Sequence, residues 1–198
     1  MSTSGESSYH HGDLRRALIE AGLQLLATGG ADSLGLREVA RAVGVSASAP
    51  YRHFTSRQAL LAAVAREGFV RFDAELRRAG DGWDRQYQLE AMGRAYIGFA
   101  LDNPKLFGLM FSPVLSKESH PDLLAAAQAS YQALAALADG AGTKGHRAAI
   151  VSTWALVHGL AVLLLDDQIL IEGAADRDML VEAVLARHVA GLRAIAGR

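Results

Sequence analysis

From residue 14 to residue 195, apolar side chains recur at intervals of three and four, the spacing of one face of an α-helix. No convincing strand and no internal repeat interrupts the pattern. A first helix is predicted over about 13–28, with Leu14, Leu18, Ala21 and Leu25 on one face and Gly29-Gly30 as its stop. In the second, Leu36, Val39, Ala40 and Val43 repeat the period and Gly44 follows as a residue that tolerates positive φ. Val45 plugs the turn, and Ser46 is placed to cap a third short helix that ends near Phe54. The next helix opens on a Thr55-Ser56-Arg57-Gln58 capping box and runs through Leu61, Val64, Phe72 and Leu76 to about residue 79.

Beyond a loop at 80–83 the period resumes. Leu89, Met92, Tyr96 and Phe99 lie on one helix that ends before Asn103-Pro104, and Pro104 opens a short apolar helix through Phe107, Met110 and Phe111. Residues 114–121 form a loop, and Leu124, Ala127, Tyr131 and Leu134 form a helix stopped by the glycines at 140–145. A long helix over 144–171 carries Ile150, Trp154, Val157, Ala161 and Leu164. The last, over 176–196, carries Val181, Leu185, His188, Leu192 and Ile195. The expected fold is all-α: a three-helix unit at 13–60 joined by a long helix to a bundle at 61–198, with residues 1–12 as a disordered arm.

Two helices joined by a short glycine-containing turn describe a helix-turn-helix. They also describe an ordinary corner between core helices, and periodicity alone leaves both open. Charge alters the balance. The chain has 198 residues and a net charge of −1, which argues against indiscriminate coating of nucleic acid. Yet Arg37, Arg41, Arg52 and Arg57 face a single acid, Glu38, between residues 37 and 57. Ser48, Tyr51, Arg52 and His53 on the second helix of the pair add hydroxyl and cationic groups suited to phosphates and base edges. The lack of cysteine excludes disulfides and the usual zinc-finger spacing, and no metal or cofactor is implied. The polar start gives no sign of a signal peptide, and 150–165 reads as too short and too polar to favour a membrane span, so the expected location is the cytoplasm.

Ala40 to Ser46 (A-x-x-x-G-V-S), Tyr51 to Phe54 (Y-x-x-F), and Arg57 with Leu60 resemble the N-terminal pattern of the TetR family of bacterial transcriptional repressors. The similarity spans about 13–65, and Trp154 to Gly159 resembles the W-x-x-x-H-G signature of one ligand-domain subgroup. The resemblance implies a homodimer, paired through its last two helices, that binds a palindromic operator and responds to a small, mainly apolar effector. It implies that Tyr51 contacts a phosphate and Arg57 anchors one, while Ala47, Ser48, Arg52 and His53 face the major groove. Ser46 and Arg37 complete the candidate DNA-binding set, Arg37 as a phosphate contact. Phe54 matches a core aromatic. Gly35 departs from the pattern, standing where a Ser or Thr usually caps the second helix and touches phosphate, and Pro50 removes a backbone donor.

In the second domain the candidate ligand-binding side chains are Met92, Tyr96, Phe99, Phe107, Met110, Phe111, Tyr131, Trp154 and His158. For His158 two readings stand equal, a core histidine bonded to a neighbouring helix and a pocket group bonded to a ligand. Ser, His and Asp side chains occur in no spacing that marks a catalytic triad, so no catalytic residue is assigned. Two other classes remain: an interaction module whose helix-turn-helix is structural, and an enzyme that uses His158 as a base.

Overall fold

The computed structural model describes residues 11–135 and 142–196, in which eight α-helices and no strand are found. They are α1 (His11–Gly29), α2 (Leu36–Val43), α3 (Arg57–Gly80), α4 (Arg85–Asp102), α5 (Pro104–Met110), α6 (Pro121–Ala135), α7 (Gly142–Leu165) and α8 (Ala174–Ala196). Residues 1–10, most of the expected disordered arm, lie outside the described residues, as do 136–141, which take in the first two residues of the expected glycine stop at 140–145.

The helix-turn-helix is built by local chemistry. Leu36, Val39 and Ala40 are buried along α2. Gly44 ends that helix in the left-handed region, at φ 79°. The N–H groups of Gly44 and Val45 both reach the Ala40 carbonyl, at 3.0 Å each. The expected short α-helix after the turn is instead a single turn of 3₁₀-helix, Ala49–Arg52. Pro50 is the physical reason, because it has no N–H to offer the carbonyl four residues back. The segment closes through three-residue bonds, Ala49 N to Ser46 O at 3.0 Å and His53 N to Pro50 O at 2.9 Å. Ser46 is not its cap: Ser48 holds that position without a side-chain bond, and the two hydroxyls lie 3.2 Å apart.

Helix α3 is capped one residue later than the Thr55 box predicts. Ser56 Oγ accepts the N–H of Ala59 at 3.1 Å. Leu60, Leu61 and Val64 then pack with Leu18, Leu26 and Leu34 of the N-terminal unit, and Phe69, Phe72 and Leu76 enter the bundle. Along its length α3 meets α1, α4, α5 and α6. At Gly68 the approach of α5 is close enough that a Cβ would stand 2.8 Å from Met110 Sδ.

Helix α7 ends at Leu165, six residues before the expected 171. Asp167 takes the left-handed conformation, at φ 51°, and Gln168 N reaches back to Leu163 O at 2.9 Å. The aspartate thus fills the helix-ending role usually given to glycine. Over Arg147–Leu165 this helix is, by length and composition, long and apolar enough to cross a membrane, contrary to the sequence expectation. Its polar groups are satisfied inside the bundle: Thr153 Oγ1 donates to Ala149 O at 2.8 Å and accepts from His188 Nε2 on α8 at 2.8 Å. Val151, Trp154, Val162 and Leu163 are exposed.

Phe72 ties the bundle together, buried edge-on against Tyr96 at 4.8 Å and against Phe99 at 5.0 Å. Phe72→Ala is expected to cost about 3–5 kcal/mol, read as a lower urea midpoint at unchanged slope.

Candidate functional site

Two surfaces carry the candidate chemistry. On the first, Arg37, Ser46, Ala47, Ser48, Tyr51 and Arg52 are all exposed around the turn and the 3₁₀ segment. Tyr51 is 54% exposed, high for a tyrosine with an apolar ring. Beneath it the segment is anchored by Pro50 and Phe54, both buried. Arg15 from α1 stacks its guanidinium 5.5 Å from the Phe54 ring centre. Among the described residues the Arg52 guanidinium makes no hydrogen bond or ion pair, so its full donor fork is available. Arg41 is turned toward Glu38 at 3.5 Å. His53 sits half-buried behind Arg52, with its ring 6.5 Å from that of Phe54. At Gly35 no side chain caps α2.

Arg57 has a second task that no sequence signal announces. Its Nε donates to Leu34 O at 2.7 Å and its Nη2 to Ala31 O at 2.6 Å. The first residue of α3 thereby fastens the break between α1 and α2, and only the remaining donors of the guanidinium face outward.

The second surface is a cavity of about 230 Å³ walled by α3, α4, α6, α7 and the connection between α5 and α6. Of the predicted ligand-binding set, Tyr96, Phe111, Tyr131 and Trp154 line it. Phe107 and His158 stand against them: the His158 ring lies 4.6 Å from Phe111 and 5.4 Å from Phe107. Met92, Phe99 and Met110 are not brought to it. Phe99 packs on Phe72, Met110 on Gly68, and Met92 lines a separate, open groove with Arg77 and Arg78. That groove is larger, but mostly polar side chains line it and it holds none of the aromatic rings.

His158 Nδ1 lies 2.9 Å from the Tyr96 hydroxyl. Burial raises the Tyr96 phenol well above its ordinary range, against the smaller opposing effect of a hydrogen bond from Trp154. The phenol therefore keeps its proton, and either tautomer of the imidazole can complete the bond. Burial first, and the Lys117 charge second, push the His158 pKa below its ordinary 6.5. Phe69, Leu124, Ala127, Gln128, Ser130 and Lys117 complete the lining. Lys117 lay hidden in a predicted loop, where no periodicity reports which way a side chain faces.

A helix-turn-helix with exposed Tyr51 and Arg52 is thus joined through one helix to a bundle that holds an aromatic cavity. Residues 18–64 match the family model described as bacterial regulatory proteins, tetR family. Residues 89–188, half of the chain, match the tetracyclin repressor-like C-terminal domain. The chain belongs to the TetR family of DNA-binding transcriptional regulators. It is similar to the HTH-type transcriptional regulator Rv1816 of Mycobacterium tuberculosis, 32% identical over an aligned stretch of 111 residues, with 53% of this chain covered. That match covers 47% of the relative, so the chain spans about half the length of the curated relatives it matches. A Rhodococcus sp. RHA1 protein of unknown function is 33% identical, with a TM-score of 0.80 over 94% of this chain and 98% of its own. FadR from Bacillus subtilis, solved in complex with stearoyl-CoA, shares the fold at 14% identity and a TM-score of 0.68, over 89% of this chain and 98% of its own.

The histidines set a pH dependence. Burial also depresses His188, so the fold favours the neutral form of both rings. Their contribution to stability is complete above the unfolded value of about 6.5 and is lost as pH falls below it. The melting temperature is expected to drop between pH 7.5 and pH 5.5, and His158→Gln to make that drop shallower. An unchanged slope in the variant would show that His158 is not held neutral by the fold.

Proposed function

We propose that this protein is a homodimeric repressor that leaves a near-palindromic operator when a small, mainly apolar effector enters the aromatic cavity. Residues 13–60 form the DNA-binding unit, residues 61–198 the sensing and pairing unit, and residues 1–12 an arm. The carrying observation is the exposure of Tyr51 and Arg52 side by side on a rigid turn, with the Arg52 guanidinium unpartnered among the described residues. Arg52 reads a base edge, because a guanidinium matches guanine O6 and N7 together. Tyr51, Arg37 and the outward donors of Arg57 hold phosphates, which set register without specifying sequence. Ser46, Ala47, Ser48 and His53 lie along the same edge.

Pairing is assigned to α7 and α8, whose exposed Val151, Val162, Leu163, Met179 and Ile195 form the kind of apolar surface that monomers rarely leave bare. A two-fold pair would set the recognition turns about 34–36 Å apart, or a small multiple of that. Trp154, His158 and Gly159 match the W-x-x-x-H-G pattern, which supports membership of that subgroup, and His158 bonds Tyr96 beside the cavity. A repressor of this kind works in the cytoplasm, where its operator is.

Footprinting and gel-shift titration on the gene's own upstream DNA check the reading. Binding is expected to weaken steeply with salt, as phosphate contacts require. Arg52→Ala should cost about 1–3 kcal/mol and relax discrimination at one base pair in each half-site, whereas Tyr51→Ala should weaken all sequences alike. Leu163→Asp should yield monomers in sedimentation. Salt-insensitive binding that neither Arg52→Ala nor Tyr51→Ala alters would overturn the assignment.

A further inference from the structure

The polar groups around the cavity are unequally spent. The Ser130 hydroxyl, its hydrogen shared, is turned to Phe69 O and Ala126 O, both at 3.2 Å, and the Tyr96 hydroxyl is bonded to His158. Lys117 and Gln128 are left over, together with the partly exposed Tyr131 hydroxyl. Lys117 holds its ammonium over the faces of Phe69 and Phe111, 5.1 and 5.4 Å from the ring centres. Among the described residues it meets no carboxylate and no hydrogen-bond acceptor. Gln128, at the mouth, makes no side-chain hydrogen bond there either.

The lining thus contains one positive charge and no negative one, set among Phe69, Phe111, Leu124, Ala127, Tyr131 and Trp154. Burial lowers the Lys117 pKa, as expected for an ammonium partly stripped of water without a counter-ion. Each class of guest meets this charge differently. A cation is repelled. A neutral apolar guest expels water from around the ammonium and returns nothing for it. An acid supplies a charge-assisted bond while its body covers the rings. The volume is below the roughly 300–1,000 Å³ typical of drug-sized ligands, so one ring or a short chain fits.

We infer that the effector is a small apolar acid whose carboxylate pairs with Lys117 and accepts a second bond from the Gln128 amide. This rests on the reading of the cavity as the effector site, and the test separates the two. Trp154 fluorescence is titrated in the full chain with Trp83→Phe, which removes the other tryptophan. The probes share one body and differ in head group: 4-phenylbutanoate, 4-phenylbutanamide and 4-phenylbutylamine. The acid is expected to bind about tenfold tighter than the amide, and the amine more weakly than either. Lys117→Met should bring the acid down to the affinity of the amide and leave the amide unchanged, while Lys117→Arg keeps the preference. Equal binding of acid and amide by the parent protein, or equal losses of both in Lys117→Met at an unaltered melting temperature, overturns the head-group assignment and leaves the cavity as a binding site. No binding of any probe overturns both.

Discussion

The structure depends on one helix being buried in two places. Helix α3 has 24 residues, about 36 Å of uninterrupted backbone. Its first half is part of the N-terminal core and its second half is the spine of the bundle, so neither module can be packed without fixing the direction of the other. Phe69 ends up as a cavity wall and Arg57 as the fastener of the helix-turn-helix break, on one rigid rod. A short second tie runs beside it. Lys105 on α5 donates to the last-turn carbonyl of Thr28 on α1 at 2.6 Å, while Phe107, two residues on, packs against Tyr96 and His158. Arg71 adds an exposed bridge from α3 to Glu20, a pair whose exposure makes it a minor contributor to stability.

How polarity is handled inside the bundle explains why so apolar a helix as α7 can sit in it. Thr153 and His188 satisfy each other across α7 and α8, and His158 and Tyr96 do so across α7 and α4. Each bond pairs a buried hydroxyl with a half-buried imidazole, which is cheaper than leaving the hydroxyl alone. The same bonds settle the orientation of the rings: His158 is both bonded to a neighbouring helix and part of the aromatic shell behind the cavity.

The helical fold could be read in the sequence because each helix buries one face and therefore shows its period. Gly44 and Ser56 could be read too, or nearly so, since helix ends have local chemical rules. What could not be read was set by non-local partners or by competing local rules. Pro50 made the third helix a single 3₁₀ turn, and Asp167 ended α7 early by adopting a conformation more often left to glycine. Tyr96, Phe111, Tyr131 and Trp154 share the period of ordinary core residues such as Phe99 and Met110, so periodicity could not divide wall from core. Lys117 and the structural bonds of Arg57 depend on which loop passes over which ring or carbonyl, and spacing along the chain carries no record of that.

The 3₁₀ turn has a further consequence for how this regulator can change. Its backbone is held by Gly44, by the Pro50 carbonyl that receives His53 N and Phe54 N at 2.9 Å, and by Phe54 beneath Arg15. None of those groups is in the outward set of Ala47, Ser48, Tyr51 and Arg52. Under the proposed reading of that set, shape and message are written largely by different residues, with Arg57 serving both. Substitutions at these exposed positions leave the buried contacts of the platform in place, so on that reading they alter which operator is read at little cost in folding. A regulator built this way can be retargeted in small, separately viable steps.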